Sequence, residues 1–461
     1  MLPITIDRDS PLSLTAQVES AIRERVTDST LHQGVRLPSS RTLAADLGVS
    51  RGVVVQAYEQ LIAEGYLRAT QGSGTQVATH LPRLGAAGAR RPAELADVRF
   101  DLRVDATSTA FFPEREWLHA YQQMARSIGG TGPRRHPLGV AELRTELAAY
   151  LGRSRGVLTG ASEVVVAADF AHTFEGLCHA LHDLGVDHIA VENPGTPWLA
   201  GIAERAGLRV TGVPVDREGI DVEALARSEA RAVLVTPVSQ VPTGVMLSAS
   251  RRKELLRWAD QVDGWVVEHD RDGDLWFGAG SGPLALQRHR THRVVYAGST
   301  RGLLGPGLRL GWSVVPGVVA ERLGRARLGA PDALTQLAFG HFVSSGLLDQ
   351  HIRQIRGTCR ARRSALGDAV EEHLPGARMT GVPAGTHAYV ALPAGIDDGR
   401  LAVEARRRSA LVQPVRYFQL DRRPVSSGVV LGYGAVRRGR LADSVKLLAS
   451  VLGEVGGLLA S

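Results

Sequence analysis

At 461 residues the chain is too long for one ordinary core, and a length prior of roughly 150 residues per domain predicts two or three folding units, which a small domain plus one large one would fit. Apolar residues make up 44% and charged residues 22%, and no apolar run approaches the roughly 20 residues of a membrane span, so a globular protein without a membrane-spanning helix is expected. The 54 basic residues against 47 acidic ones leave a net charge of +7, which favours nucleic acid or another anionic partner.

Asp7 and Asp9 stand where a secretory signal needs an apolar core, so a cytoplasmic location is expected. Cys178 and Cys359 are the only cysteines; two thiols so far apart neither form a metal site nor staple a core, and both are expected to be buried, reduced hydrophobes. Lys253 and Lys446 are the only lysines, so nearly all the positive charge is arginine.

From Leu14 onward Val18, Ile22 and Val26 recur at helical spacing and predict a first helix that stops in the Gln33 to Gly34 turn. A second begins at Ser39 or Ser40, whose hydroxyl can cap the first amides, and Gly48 breaks it. Ser50 caps a third, in which Val54, Ala57, Tyr58 and Leu61 form the buried face. That leaves Arg51, Gly52, Val53, Val55 and Gln56 on the leading or opposite surface. Two helices around a glycine turn make a helix-turn-helix, whose second helix places its N-terminal side chains in the major groove. The following YLRATQGSGTQVAT reads as two short strands around a Gly-Ser-Gly turn, a wing.

The stretch VRLPSSRTLAADLGVSRGVVVQAYEQLIAEGYLRATQGSGTQVA resembles the GntR family of winged-helix regulators, and the resemblance covers residues 12 to 78. It implies a DNA contact set of Arg41, Ser50, Arg51, Gly52, Val53, Gly72 and Ser73, and a double-stranded operator as partner. Arginine can bond phosphate or read guanine edges, and a wing glycine lets the backbone approach the groove. Net charge gives no support, since residues 1 to 78 hold seven arginines against eight acids, a net −1. A helical protein-interaction module is the alternative for this region.

Residues 79 to 99 mix Pro, Gly, Ala and charge without apolar periodicity and read as a linker between a head, 1–78, and a large domain, 100–461. From Phe100 onward helical patterns alternate with the β-rich runs EVVVAA, HIAVE, RAVLVTP, GWVVEHD and RVVYAGS, which predicts an α/β domain on a mostly parallel sheet. AFFPEREW, PLGVAELRTELAAYLGRSRGV, IAVENPG, TPVSQVPTG, VVEHD and GPGLRLGW resemble fold-type I aminotransferases, specifically the MocR group, in which a GntR-like head is fused to such a domain. GTHAYVALP and GVVLGYG match more loosely, which sets a smaller C-terminal α+β part from about residue 340. The resemblance also implies a homodimer.

Enzymes of that fold hold pyridoxal phosphate as a Schiff base on a lysine, with an acid facing the pyridine nitrogen. Aligned with the family's G-T-F-S-K-x-L-x-P-G-L-R-L-G, the stretch GSTRGLLGPGLRLG puts Gly302 at the lysine position, and neither Lys253 nor Lys446 is near it in sequence. The same alignment puts His269 at the pyridine-facing acid, Arg271 at the tyrosine that meets the ring oxygen, and Thr196 at the ring-stacking aromatic, with Trp198 close by. It puts Ala168, Asp169, Phe170 and Ala171 at the phosphate-cradling turn, where a carboxylate repels phosphate. Arg309 is the family's phosphate-binding arginine. No covalent cofactor and no metal are therefore expected.

With Arg134 and Arg301 also replacing uncharged residues of the family, arginine accumulates around Arg309, which suggests an anionic small molecule as effector. Pairing with local acids such as Asp169 and Asp270 explains the same arginines without a ligand. The leading expectation is a DNA-binding regulator, not an enzyme, whose large domain dimerises and senses a small molecule. The alternatives are a cofactor-independent enzyme using His269, Asp270, Asp272 and Asp274, a regulator binding pyridoxal phosphate noncovalently, and a constitutive DNA-binding dimer. The segment HDRDGD, which carries those acids, reads first as a solvated loop.

Overall fold

A computed structural model describes residues 4–8, 10, 12–27, 30–70, 74–78, 98–104, 106, 111–127, 136–326, 328–421 and 427–457. The chain divides into two compact units, Met1–Ala96 and Asp97–Ser461. Of the stretch read as a linker, residues 79–97 lie outside the described residues; Arg99 already belongs to the large unit, its N–H donating to Ser409 O at 2.8 Å.

The small unit is three helices and a hairpin: α1 (Leu14–Thr27), α2 (Ser40–Leu47), α3 (Arg51–Ala63), β1 (Leu67–Thr70) and β2 (Gly74–Val77). α1 ends six residues before the turn expected to stop it, and Gly34 makes that turn at φ +81°. Ser39 Oγ accepts from Thr42 N at 3.1 Å and Ser50 Oγ from Val53 N at 3.4 Å, so both caps satisfy amides that their helices leave open. Between them Gly48 closes α2 at φ +61°, a left-handed conformation that costs a side-chained residue about 1 to 2 kcal/mol. Val54, Ala57, Tyr58 and Leu61 are buried against Val18, Ile22 and Leu43, and Tyr58 OH donates to Pro38 O at 2.9 Å. β1 and β2 pair antiparallel from Leu67 opposite Val77 to Thr70 opposite Gly74, and residues 34–37 extend the sheet through Leu37 N to Thr75 O.

The large unit opens with β3 (Phe100–Asp101) and is built on an eight-stranded sheet. Its strands are β4 (Val164–Ala167), β5 (His188–Asn193), β6 (Arg209–Asp216), β7 (Gly219–Ile220), β8 (Ala232–Val235), β9 (Trp265–His269), β10 (Val294–Ser299) and β11 (Gly311–Val314), in spatial order 4-11-10-9-8-5-6-7. β10, β9, β8, β5 and β6 run parallel; β11 is antiparallel to both β10 and β4, so β4 points the same way as the parallel set. β4, β8 and most of β10 are apolar and buried, as a sheet covered by helices on both faces requires, while β5 and β9 carry the buried carboxyl groups of Glu192 and Glu268 near their carboxyl ends.

A second, four-stranded antiparallel sheet joins β12 (Arg378–Thr380), β13 (His387–Ala391), β15 (Gln413–Pro414) and β16 (Gly428–Gly432), while β14 (Ala410–Leu411) pairs parallel with β3. The helix Leu347–His373 leads from the large sheet to this smaller one. Both cysteines are buried free thiols whose pKa burial pushes up to about 12. Among the described residues no helix is long and apolar enough to cross a membrane, and no group of three His, Cys, Asp or Glu is placed to hold a metal ion.

Candidate functional site

In the small unit the residues left outside the core gather on the N-terminal ends of α2 and α3. Arg41 is the second residue of α2 and Arg51 the first of α3; both are exposed, and neither makes a hydrogen bond or ion pair among the described residues. Gly52 follows on the same leading turn, and a Cβ there would meet nothing nearer than Ser50 Oγ at 3.8 Å among the described residues. Internal packing therefore does not demand a glycine, whereas close approach of an external backbone would. Val53 is half-buried beside it. Gly72 and Ser73, expected at the wing tip, lie outside the described residues.

In the large unit a cavity of about 60 Å³ lies at the carboxyl ends of β4, β9 and β10, the edge where open α/β sheets take ligands. Its wall is formed by Asp169, Phe170, Ala171, Trp198, His269, Arg271, Asp272, Ser299, Arg301, Gly302 and Thr386. β4 delivers Asp169 as the N-cap of α4 (Phe170–Asp183), labelling here the first helix after that strand. Asp169 Oδ1 accepts from His172 N at 3.0 Å and His172 Nδ1 at 2.7 Å, while Oδ2 pairs with Arg309. Burial raises the pKa of this carboxyl, but the hydrogen bonds from His172 and Arg309 outweigh it and bring it down to about 2. Gly311 makes the approach possible, since a Cβ there would stand 2.6 Å from Asp169 C.

One residue on, the Phe170 ring lies flat on His269, with centroids 3.4 Å apart and planes 4° from parallel. Phe174, one turn further, stacks behind it at 5.8 Å. Arg271 Nη2 donates to Val104 O at 3.2 Å, and its Nε lies 3.8 Å from the buried Asp272 carboxylate. Asp270 faces away from the cavity. Its Oδ2 accepts from Arg155 Nε at 2.6 Å and Tyr296 OH at 2.7 Å, and its Oδ1 from Gly273 N at 2.9 Å, with both members of the ion pair only 2% exposed.

Residues 14–77 match the bacterial regulatory proteins of the gntR family, and residues 106–426 match aminotransferase class I and II. The HTH-type pyridoxine biosynthesis transcriptional regulator PdxR of Corynebacterium glutamicum is 33% identical over 84% of this chain and 85% of its own length. The chain belongs to the GntR family of MocR/PdxR-type regulators. The probable rhizopine catabolism regulatory protein MocR of Rhizobium meliloti is similar along nearly the whole length of this regulator, at 28% identity over 97% of this chain and 95% of MocR. An archaeal alanine:glyoxylate aminotransferase matches the fold with a TM-score of 0.71 at 23% identity, over 77% of this regulator and 91% of the aminotransferase.

Of the cavity residues singled out from sequence, the fold of this regulator brings Asp169, His269, Arg271, Arg301 and Gly302 together. Arg134 lies outside the described residues. Thr196 does not line the cavity; it precedes Pro197 at the start of the helix Pro197–Arg205, and Trp198, two positions on and so facing roughly the opposite way, does. Arg309 reaches the site through its pair with Asp169 and is not part of the wall. The solvated loop expected for HDRDGD is corrected: Asp270 is buried because Arg155, at the end of the helix Ala141–Arg155, supplies a cation that no local pattern reveals, and Asp272 is buried beside Arg271 and His387. Sequence reasoning also missed Thr386, which arrives from the C-terminal sheet, and the ring contact of Phe170.

Proposed function

We propose that this regulator reads a duplex operator through the small unit and uses the large unit as a dimerising sensor. On this reading the large unit neither catalyses a reaction nor holds pyridoxal phosphate as a Schiff base. The observation that carries it is the stack of Phe170 on His269 beside the Asp169–Arg309 pair. Two rings in van der Waals contact leave no slot between them for a third. A carboxylate capping α4 holds the His172 amide at the turn that would receive a phosphate, and its charge repels one. Gly302 offers no amine, and Lys253 and Lys446 are exposed on the helices Ala249–Gln261 and Leu441–Gly457, away from the cavity wall. The residues present do not fit the cofactor.

The enzyme alternative loses its best acid, since both oxygens of Asp270 are engaged in the core. Noncovalent pyridoxal phosphate would have to displace Phe170 and Asp169 together. An anionic effector held by Arg301 and Arg309 must likewise compete with Asp169 for Arg309. The volume of about 60 Å³ admits on the order of four waters, so a larger effector has to move part of the wall.

The test is an absorbance spectrum of the purified protein with added pyridoxal phosphate, then borohydride reduction and mass measurement. No shifted aldehyde band and no added mass are expected; a single reduced pyridoxyl group at one residue overturns the reading. Sedimentation at micromolar concentration tests the dimer, which a monomeric mass contradicts.

A further inference from the structure

With the whole chain at +7 and residues 1–78 at −1, the remaining residues carry +8, so the positive charge of this DNA-binding protein lies outside its DNA-reading unit. Charge spread over a large surface does little for DNA affinity, because the Debye length is about 8 Å at physiological salt and only groups that meet the phosphates act on them. The large unit concentrates such groups in one place. A groove of about 290 Å³ is lined by Arg99, Phe100, Asp101, Val436, Arg437 and Arg440, and Arg438, next in the chain to Arg437, is exposed.

The groove is organised rather than incidental. Phe100 is 2% exposed, and the guanidinium groups of Arg99 and Arg440 lie over its ring at 5.0 and 4.9 Å from the centroid, which holds two cations at neighbouring positions. Asp101, the one acid of the lining, is already neutralised by Arg103, whose Nε and Nη2 donate to its two oxygens at 2.8 and 2.6 Å. Asp443 approaches Arg440 Nε only to 3.7 Å. Ser409 O fixes the backbone by accepting from both Arg99 and Phe100 N–H. Arg99 stands two residues after the stretch 79–97, so along the chain this is the part of the large unit nearest to the DNA-reading unit.

We propose that Arg99, Arg437, Arg438 and Arg440 form a second DNA contact that binds backbone phosphates flanking the sequence read by the small unit. The proposal rests on the operator-binding reading above. The patch carries no base-reading geometry, so it raises affinity for operator and unrelated duplex alike and steepens the salt dependence of both.

The experiment is fluorescence anisotropy of the full-length protein on an operator duplex selected from a random pool and on an unrelated duplex, across a salt series. Arg99→Ala with Arg437→Ala and Arg440→Ala should make the slope of log affinity against log salt shallower by about 2 to 3, and weaken both duplexes by similar factors. Because Arg99 and Arg440 lie on Phe100, Arg437→Ala with Arg438→Ala provides a variant that leaves the stack intact, with a loss of slope of about 2. A wild type that binds its operator, with Arg51→Ala weakening it and both patch variants leaving the slope unchanged, overturns the patch and spares the operator reading. A wild type that binds no duplex overturns the operator reading itself. Unchanged DNA slopes with loss only of thermal stabilisation by inorganic phosphate assign a small anion to the groove and overturn the proposal.

Discussion

The DNA-reading face and the large-unit cavity both rely on arginine, in opposite states. Arg41 and Arg51 stand exposed with no hydrogen bond or ion pair among the described residues, whereas Arg271 in the cavity wall faces Val104 O and Asp272, and Arg155 behind the wall and Arg309 beside it each pair with an acid. The difference follows from water. A surface guanidinium remains solvated until an external anion displaces that water, so the surface can wait for its partner. Inside a cavity the same group is costly unless paired, so a cavity without a resident anion must draw on its own carboxylates. On the proposed reading, an unpaired arginine marks a site kept for an outside ligand, and a paired one marks a site that has closed on itself.

The comparison breaks most visibly in the core behind the cavity. Asp270→Asn leaves Arg155 charged and 2% exposed, and Arg155→Met strands the carboxylate; each is expected to destabilise the large unit by about 3 to 5 kcal/mol in urea denaturation. A loss below about 1 kcal/mol would mean that the pair is not structural, and acid–base chemistry at Asp270 would again need an answer. Arg51→Ala should do the reverse, weakening operator binding by about 1 to 3 kcal/mol while the melting temperature stays put, because the side chain is exposed and makes no hydrogen bond or ion pair among the described residues, and such a surface change shifts stability by about 0.5 kcal/mol or less. Unchanged operator affinity in both Arg41→Ala and Arg51→Ala removes these residues from the interface.

The small unit was nearly all legible in the sequence because its information is local. Ser39, Ser50 and Gly48 cap helices within a few residues of themselves, and the i, i+3, i+4, i+7 spacing of Val54, Ala57, Tyr58 and Leu61 names the buried face directly. The cavity was legible only where a residue sits in a recognisable motif, as His269, Arg271 and Gly302 do. The partner of Asp270 lies 115 residues away in Arg155, and that of Asp169 lies 140 away in Arg309, so their pairing depends on strand order and not on pattern. Phe170 was noted only for its place in the phosphate turn; that its ring covers His269 is a property of how α4 leaves β4. α1 ends with its apolar spacing at Thr27, six residues before the Gln33 to Gly34 turn expected to stop it.

The smallest expected effect is at Asp169, where the cavity is closed by a contact still half in water. Its partner Arg309 is 62% exposed, and a pair of that kind contributes about 0 to 1 kcal/mol. Asparagine caps a helix as well as aspartate does, so Asp169→Asn keeps the bond to His172 N and should cost less than about 1 kcal/mol at neutral pH. The folded carboxyl titrates near 2, below its ordinary value of 3.8, so its stabilisation is complete above about pH 4 and is lost as the pH falls toward 2. The wild type should therefore lose melting temperature over that window more steeply than Asp169→Asn. The substitution also frees Arg309 and removes the charge that repels anions from the helix N-terminus. Inorganic phosphate should then stabilise the variant against heat and leave the wild type unmoved; equal responses in the two would mean that Asp169 does not hold this cavity closed.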